Sequence, residues 1–172
     1  ASNISQTRRN FDNNSLLYVP KVYVDLTSKN LLVMEKIKGI AVSDITSLKE
    51  LDVDLKLLSE RGVEIFLKQV FVDNFFHADM HPGNMFVCAD GVLSPVDFGI
   101  MGRLDCETRH FLADMLIAFL SRDYEKVAEV HFTAGYVPRD KSLGAFSQAC
   151  RAIAEPILGK SQNEISIARL LG

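Results

Sequence analysis

The stretch that decides the fold runs from residue 77 to residue 99. It opens with His77-Ala78-Asp79-Met80-His81-Pro82-Gly83-Asn84 and closes with Asp97-Phe98-Gly99. Asp79 and Asn84 are five positions apart, and thirteen positions separate Asn84 from Asp97. That interval has room for two short strands, at 85–87 and 92–93, around the turn-forming residues 89–91. The pattern therefore predicts a hairpin that holds Asn84 and Asp97 at its two open ends.

The spacing of these residues matches the catalytic half of a phosphoryl-transfer site. In the protein-kinase template a catalytic-loop Asp precedes a metal-binding Asn, and the Asp of a D-F-G triplet follows. Asn84 and Asp97 would supply the hard oxygen ligands that Mg²⁺ takes together with substrate phosphates and water. Asp79 would orient or deprotonate the acceptor group. We expect His77 and Gly99 to support this loop rather than perform chemistry.

Two other interpretations of these residues stay open. Asp, Asn and Gly also cluster in ordinary turns, because Asx side chains bond nearby backbone groups and Gly accepts positive φ. The pattern His77-x-Asp79-x-His81 is also compatible with a transition-metal site, since imidazole is a good zinc ligand. A zinc site would leave Asn84 and the D-F-G triplet without a role. The order and spacing of Asp79, Asn84 and the D-F-G triplet therefore favour phosphoryl transfer.

Composition and charge limit the class of protein. The 172 residues are 48% hydrophobic with a net charge of −3, so we expect one globular body and no nucleic-acid partner. Cys88, Cys106 and Cys150 are an odd number without a C-x-x-C spacing, which favours reduced thiols and a cytoplasmic-side compartment. No apolar run approaches the roughly 18 residues that span a bilayer. The chain opens at Ala1 without a signal sequence, and we expect a fragment of a longer protein.

The first 37 residues predict a helix, a hairpin and a connector. Residues 1–10 are typical of the end of a helix. The runs 22–24 and 31–34 predict two strands joined by a polar loop. The second strand leaves through a connector in which a kinase hinge would offer backbone groups of Glu35 and Ile37 to an adenine ring. An ordinary strand exit stays the alternative for this connector.

Helical patterns occupy most of the remaining chain. Apolar residues recur every three or four positions over 54–73, which predicts a buried amphipathic helix before the catalytic loop. Asp105 can cap a further helix. Two more helices are predicted, over 123–135 and over 142–155, the latter ended by Pro156. The apolar stripe of the helix after Asp105 is expected to be core, and it consists of Phe111, Leu112, Met115, Leu116, Phe119 and Leu120.

Longer stretches of the chain resemble the UbiB/ADCK family of atypical kinase-like proteins, and most closely its bacterial members that act in ubiquinone biosynthesis. The resemblance covers nearly all 172 residues. The stretches that carry it are 5–11 (SQTRRNF), 17–20 (LYVP), 33–37 (VMEKI), 39–44 (GIAVSD), 75–84 (FFHADMHPGN), 122–129 (RDYEKVAE) and 135–138 (GYVP).

This resemblance implies an α+β, protein-kinase-like fold with a mainly helical C-lobe and short hairpins, and with the N-lobe largely missing. Residues 1–37 would form the end of an N-lobe helix, the hairpin and the hinge, and residues 38–172 one globular C-lobe unit, truncated at both ends. Asp79 matches the family's catalytic Asp, and Asn84 and Asp97 match its metal ligands. We expect the family's Ala-rich nucleotide loop, its ATP-contacting Lys and its hydrophobic membrane segments to lie outside this chain.

The resemblance also implies a function. It implies ATP or ADP and Mg²⁺ as cofactors of a kinase-like phosphotransferase or ATPase that supports ubiquinone biosynthesis, and we expect the fragment alone to be inactive. The full-length protein would lie at the cytoplasmic side of the bacterial inner membrane, with a ubiquinone-precursor lipid or biosynthetic enzymes as partners. Because no A-P-E triplet follows Gly99, we do not expect a protein substrate.

Two other functions stay open. Residues 77–84 also resemble the loop of aminoglycoside and choline kinases, which would make the protein a small-molecule phosphotransferase. A non-catalytic, nucleotide-binding scaffold for lipid-biosynthetic enzymes is the third hypothesis, although an intact Asp79 argues against it. We also expect self-association through apolar surface of the hairpin 22–34 or of the hinge face.

Overall fold

The computed structural model describes residues 1–12 and 14–158. The chain divides into two compact units, one of Ala1–Arg103 and one that begins at Leu104. The division at residue 37 that the sequence suggests stays a prediction. Asn13 of the predicted turn and residues 159–172 of the predicted C-lobe lie outside the described residues. None of the helices in the described part is long and apolar enough to cross a membrane.

Three α-helices form in the first unit. The predicted N-terminal helix is confirmed as α1, Ser2–Asn10. A short helix that the sequence analysis missed, α2, covers Ile45–Glu50 and is capped by the Asp44 side chain. The predicted amphipathic helix is α3, Leu55–Leu67, and it continues into a π-helical turn over Lys68–Val72. This π-helical turn is wider than an α-helical turn, and it lies immediately before the candidate site.

The strands of the first unit are short and antiparallel. Strand β1 (Ile40–Ala41) pairs with β3 (Met85–Val87), which pairs with β4 (Leu93–Pro95). Strand β2 (Phe76–His77) pairs with β5 (Met101–Gly102). The β3–β4 pair confirms the predicted hairpin, and its turn contains Gly91 at a φ of 70°. A residue without a Cβ reaches that φ at little cost.

The predicted strands at 22–24 and 31–34 are wrong. The chain does fold back there, through isolated bridges between Val22 and Met34 and between Ser28 and Leu31. However, Val24–Leu26 forms a 3₁₀ turn. The Thr27 hydroxyl donates to Tyr23 O at 2.9 Å and accepts from Val33 N at 3.2 Å, so a side chain replaces part of the ladder.

The core of the first unit brings together residues from its whole length. It joins α1, the β3–β4 hairpin and the D-F-G triplet in one cluster of buried side chains. Its members are Ile4, Phe11, Leu17, Val19, Leu48, Leu58, Ile65, Met85, Val87, Leu93 and Phe98. The candidate site therefore lies on elements that share a single core.

The second unit is helical in its described part. Helix α4 (Cys106–Leu120) begins at the predicted cap Asp105, and α5 (Tyr124–Thr133) begins at Asp123. Helix α6 covers Leu143–Leu158. The predicted end of this helix before Pro156 is wrong, because Pro156 lies inside the helix. Its missing N–H removes the hydrogen bond to the carbonyl four residues earlier, yet the helix continues to Leu158.

The apolar stripe of α4 is less buried than predicted. Leu120 is 66% exposed, the other five predicted residues are half-buried, and Ala118 is the fully buried position of this helix. The predicted stripe includes pairs of adjacent residues and is wider than the surface that one neighbouring helix covers. Periodicity therefore identified the helix but overestimated its contribution to a core.

Candidate active site

His77 connects the two halves of the candidate site. Strand β2 places it in a buried position, where its Nδ1 accepts a hydrogen bond of 3.1 Å from the backbone N–H of Asp79. Its Nε2 is bonded to the carbonyl oxygen of Asp97. Because a carbonyl can only accept, the proton is assigned to Nε2. The imidazole thus joins the predicted catalytic loop to the D-F-G triplet.

The loop that carries Asp79 is held by short-range hydrogen bonds. The carbonyl oxygen of Asp79 accepts from His81 N at 2.9 Å, and the Nδ1 of His81 accepts from Gly83 N at 3.1 Å. Pro82–Asn84 then forms a 3₁₀ turn. Among the described residues, the carboxylate of Asp79 has no hydrogen-bond partner, and Asp79 is exposed. It is therefore free to meet an acceptor group.

The β3–β4 hairpin brings Asn84 and the D-F-G triplet side by side. The carbonyl oxygen of Asn84 accepts from Val96 N, the residue before Asp97, at 2.9 Å. The carboxylate of Asp97 folds back on its own turn, and its Oδ1 accepts from Gly99 N at 2.9 Å. Phe98 packs into the core, with its ring centroid 6.1 Å from that of His77. The predicted juxtaposition of Asn84 and Asp97 at one end of the hairpin is present.

The donor set fits magnesium better than zinc. Within residues 1–12 and 14–158, no hydrogen bond occupies the Asn84 side chain or the second carboxylate oxygen of Asp97, so two hard oxygen groups are available. No group of three or more His, Cys, Asp or Glu residues in that part of the chain could hold a metal by itself. The zinc interpretation of His77 fails because both of its ring nitrogens are hydrogen-bonded.

The predicted hinge residues lie toward the other end of β3. Among the described residues, no backbone hydrogen bond uses the carbonyl of Glu35 or the N–H of Ile37. The N–H of Glu35 donates to Lys21 O at 2.8 Å. Gly39 then passes so close to β3 that a Cβ there would lie 2.6 Å from Val87 O. The structure does not bring Glu35 or Ile37 into hydrogen-bond contact with the catalytic loop in the described residues.

The side chain of Glu35 is held away from the hinge backbone. Its Oε2 accepts from the Tyr18 hydroxyl at 2.7 Å and from Lys21 N at 3.1 Å. The hydrogen bond from Tyr18, followed by that from Lys21, lowers the pKa of Glu35. The same bond raises the pKa of Tyr18, while partial burial raises the pKa of the neighbouring Cys88 thiol. The carboxylate therefore anchors the connector instead of facing a ligand.

Several residues that position the site were not predicted from the sequence. The buried Gln69, in the π turn, accepts a hydrogen bond of 3.1 Å from His77 N through its Oε1. Lys68 of the same turn binds Asp73 at 2.8 Å and Asn10 O at 2.8 Å. Asn3 donates to Phe98 O at 2.7 Å. A polar Gln inside an apolar helix was a usable signal, but nothing local to Asn3 indicated its contact.

The architecture and the site define the class: an α+β protein with the protein-kinase-like fold. A solved structure described as the complex structure of Rv3197-erythromycin from Mycobacterium tuberculosis matches with a TM-score of 0.64 and 20% sequence identity. The match covers 91% of this chain and 40% of that one. At this identity the likeness shows the fold alone, and it confirms the fold class expected from the sequence.

Sequence comparison identifies the family. The model of the ABC1 atypical kinase-like domain matches residues 1–131, and the chain belongs to that family. It is 49% identical over 175 residues to the probable protein kinase UbiB of Pectobacterium carotovorum subsp. carotovorum (strain PC1), and likewise to those of Enterobacter sp. (strain 638) and Serratia proteamaculans (strain 568). Each match covers 99% of this chain and 32% of the relative, so the chain spans about a third of their length.

Proposed function

We propose that this chain carries the metal-binding and acceptor-binding part of an ATP- and Mg²⁺-dependent kinase-like phosphotransferase or ATPase. The observation that carries the proposal is the bridge through His77, which ties the backbone of Asp79 to that of Asp97. Turn chemistry alone needs no such connection between segments 20 positions apart. A phosphoryl-transfer site does, because its acceptor and its metal must be held in one geometry.

The roles of the three polar side chains follow from their chemistry. Asn84 and the free oxygen of Asp97 would hold Mg²⁺, with phosphate oxygens and water completing its coordination. When bound, the ion neutralises negative charge on the transferring phosphoryl group. Asp79 accepts the proton of the attacking hydroxyl or water, which requires an exposed carboxylate near the metal. The exposure of Asp79 and its link to Asp97 support this assignment.

The binding of the nucleotide base is assigned to the connector that contains Glu35 and Ile37. The carbonyl of Glu35 and the N–H of Ile37 are one acceptor and one donor without backbone partners in the described residues. This pair complements the exocyclic amine and a ring nitrogen of adenine. The supporting residues His77 and Gly99 act through hydrogen bonds to the loop and to Asp97, not through contact with the substrate.

The biological role is proposed by likeness to the relatives. They are named probable protein kinase UbiB, and the sequence carries motifs of the family that acts in ubiquinone biosynthesis. We therefore assign a ubiquinone-precursor lipid or biosynthetic enzymes as partners of the full-length protein, at the cytoplasmic side of the bacterial inner membrane. The free carboxylate of Asp79 favours turnover over a scaffold function. The family match favours a role in ubiquinone biosynthesis over the phosphorylation of soluble alcohols.

The metal assignment is tested by calorimetric titration of magnesium-ADP into the full-length protein and its Asp97→Asn variant. We expect the variant to lose binding by about tenfold or more, because a charged metal ligand is replaced by a neutral one. Asp114→Asn is the matched control, since Asp114 is an exposed acid of α4. Equal, measurable affinity of the unsubstituted full-length protein and its Asp97→Asn variant would refute the assigned metal role.

The role of Asp79 is tested by turnover of the full-length protein. Asp79→Asn should lower ATP hydrolysis or transfer by about 10²-fold or more while nucleotide binding persists. Unchanged turnover in this variant would remove Asp79 from the mechanism. If the unsubstituted protein binds nucleotide but shows no turnover, the scaffold function is favoured. Rapid stoichiometric phosphorylation of a soluble alcohol would favour the small-molecule phosphotransferase.

A further inference from the structure

Two successive peptide groups of the D-F-G turn are each held by a distant side chain. The carbonyl oxygen of Asp97 is bonded to His77 Nε2. The carbonyl oxygen of Phe98 accepts a hydrogen bond of 2.7 Å from the side-chain amide of Asn3, which lies 95 positions earlier. His77 belongs to the predicted catalytic loop, whereas Asn3 belongs to α1 and lies outside the motifs of the candidate site. The D-F-G turn is therefore held by a second element in addition to the catalytic loop.

The carbonyl that Asn3 binds is covalently linked to the donor that orients Asp97. The C=O of Phe98 and the N–H of Gly99 belong to one peptide group, which is planar and trans, so the two point in opposite directions. The N–H of Gly99 donates to Asp97 Oδ1 at 2.9 Å. A rotation of this peptide that turned the carbonyl away from Asn3 would also turn the N–H away from Asp97. One hydrogen bond from Asn3 thus restrains the carboxylate through a rigid unit.

Asn3 is itself a fixed donor. Its backbone carbonyl accepts from the hydroxyl of Thr7 at 3.0 Å, and Thr7 is buried. The next residue, Ile4, is 2% exposed and belongs to the same core cluster as Phe98, which is 6% exposed. A helix anchored in the core beside Phe98 fixes the backbone of Asn3, so the bond to Phe98 has to order only the side-chain torsions. The geometry is that of a built support, not of a mobile surface contact.

We propose that Asn3 is a positioning residue for the metal-binding carboxylate of Asp97, and that it acts by holding the Phe98–Gly99 peptide in one orientation. This inference rests on the proposed function, because it assigns a role within that metal site. It makes α1 a part of the site. A displacement of α1 that breaks the bond to Phe98 releases one oxygen of Asp97 from its backbone donor and weakens metal binding.

The first test follows the Gly99 amide directly, without metal or nucleotide. Hydrogen exchange of this amide is measured by NMR in the 172-residue chain and in Asn3→Ala and Asn3→Asp. The Asp variant keeps the size of the side chain but cannot donate at neutral pH. We expect Gly99 exchange about tenfold faster in both variants, the change that corresponds to one hydrogen bond. Ser5→Ala, on the same helix, is the control and should leave the rate unchanged.

The second test separates positioning from stability. In the full-length protein, the Kd for manganese-ADP should rise about tenfold in the Asn3 variants at conditions where urea denaturation shows them fully folded. Unchanged Gly99 exchange in a folded variant would overturn the proposal, and so would faster exchange with unchanged manganese-ADP affinity. If the unsubstituted full-length protein binds no manganese-ADP, the proposed function fails. The exchange rate of Gly99 then still decides whether Asn3 holds the peptide.

Discussion

At the scale of single residues, Tyr18 and Glu35 form a pair whose charge states matter at both ends of the pH range. The hydroxyl donates to the carboxylate, and this bond lowers the pKa of Glu35 below its usual value of 4.5 and raises that of Tyr18 above 10.0. The contribution of Glu35 is fully present above pH 4.5 and is lost as the pH falls through the lower, folded-state pKa. The contribution of Tyr18 is present below pH 10.0 and is lost as the pH rises through the folded-state pKa.

The first prediction concerns this pair. Glu35→Gln should lower the free energy of unfolding at pH 7 by less than about 1 kcal/mol, because the amide oxygen of Gln can still accept from Tyr18 and solvent screens the lost charge. The difference from the unsubstituted chain should shrink as the pH falls below 4.5, where Glu35 itself becomes protonated. Urea denaturation at several pH values measures it. Glu50→Gln, at an exposed residue that ends α2, serves as the control. A stability difference of Glu35→Gln that does not change with pH would contradict the lowered pKa of Glu35.

At the scale of elements, two glycines show how backbone context decides the effect of one methyl group. Gly62 lies inside α3, and a Cβ there would meet nothing closer than the Leu93 side chain at 3.9 Å, an ordinary contact. Gly39 precedes β1, and a Cβ there would lie 2.6 Å from Val87 O, which is backbone of β3. The helix tolerates the methyl group, whereas the connector must move away from the strand that leads from Asn84.

The second prediction compares Ala substitutions at these positions. Gly62→Ala should raise the free energy of unfolding by about 0.5–1 kcal/mol, the difference in helix propensity between the two residues. Gly39→Ala should lower it by about 1–3 kcal/mol, as overpacking against backbone does. Thermal or urea denaturation measures both changes. Stabilisation by Gly39→Ala would show that the connector does not lie against β3 in solution.

At the scale of the whole molecule, much apolar surface of the first unit is exposed. Three strongly exposed apolar residues lie in the segment 22–34, namely Val24 at 71%, Leu26 at 62% and Leu31 at 58% exposure. The chain covers 32% of the length of its relatives. An exposed segment with only isolated bridges offers both apolar side chains and unpaired backbone groups to a second copy.

The third prediction is that this surface drives self-association. In sedimentation velocity the chain should shift toward dimers as its concentration rises. Leu31→Lys should weaken this shift, because a charge would be buried in the contact. Leu51→Lys makes the same change in charge at a residue that is 67% exposed elsewhere in the first unit, and it should leave association unchanged. Monomeric behaviour at all concentrations, or equal effects of both substitutions, would argue against the segment 22–34 as the surface of self-association.

Part of the fold was predictable because it depends on interactions over a few residues. The caps Asp54, Asp105 and Asp123 bond to amides two or three positions later, so each helix start can be read from local sequence. The β3–β4 hairpin was predicted from turn residues between apolar runs. The strands predicted at 22–34 failed because Thr27 replaces ladder bonds with its hydroxyl, which a propensity argument does not register.

The sequence by itself determined the order and spacing of Asp79, Asn84 and Asp97, the hairpin between the last two and the family. What only the tertiary structure decided is how those residues are held. Gln69 and Asn3 support His77 and Phe98 from positions 8 and 95 residues away in the chain. Such contacts follow from packing around a shared core, and no local periodicity or turn preference specifies which distant side chain a free carbonyl will meet.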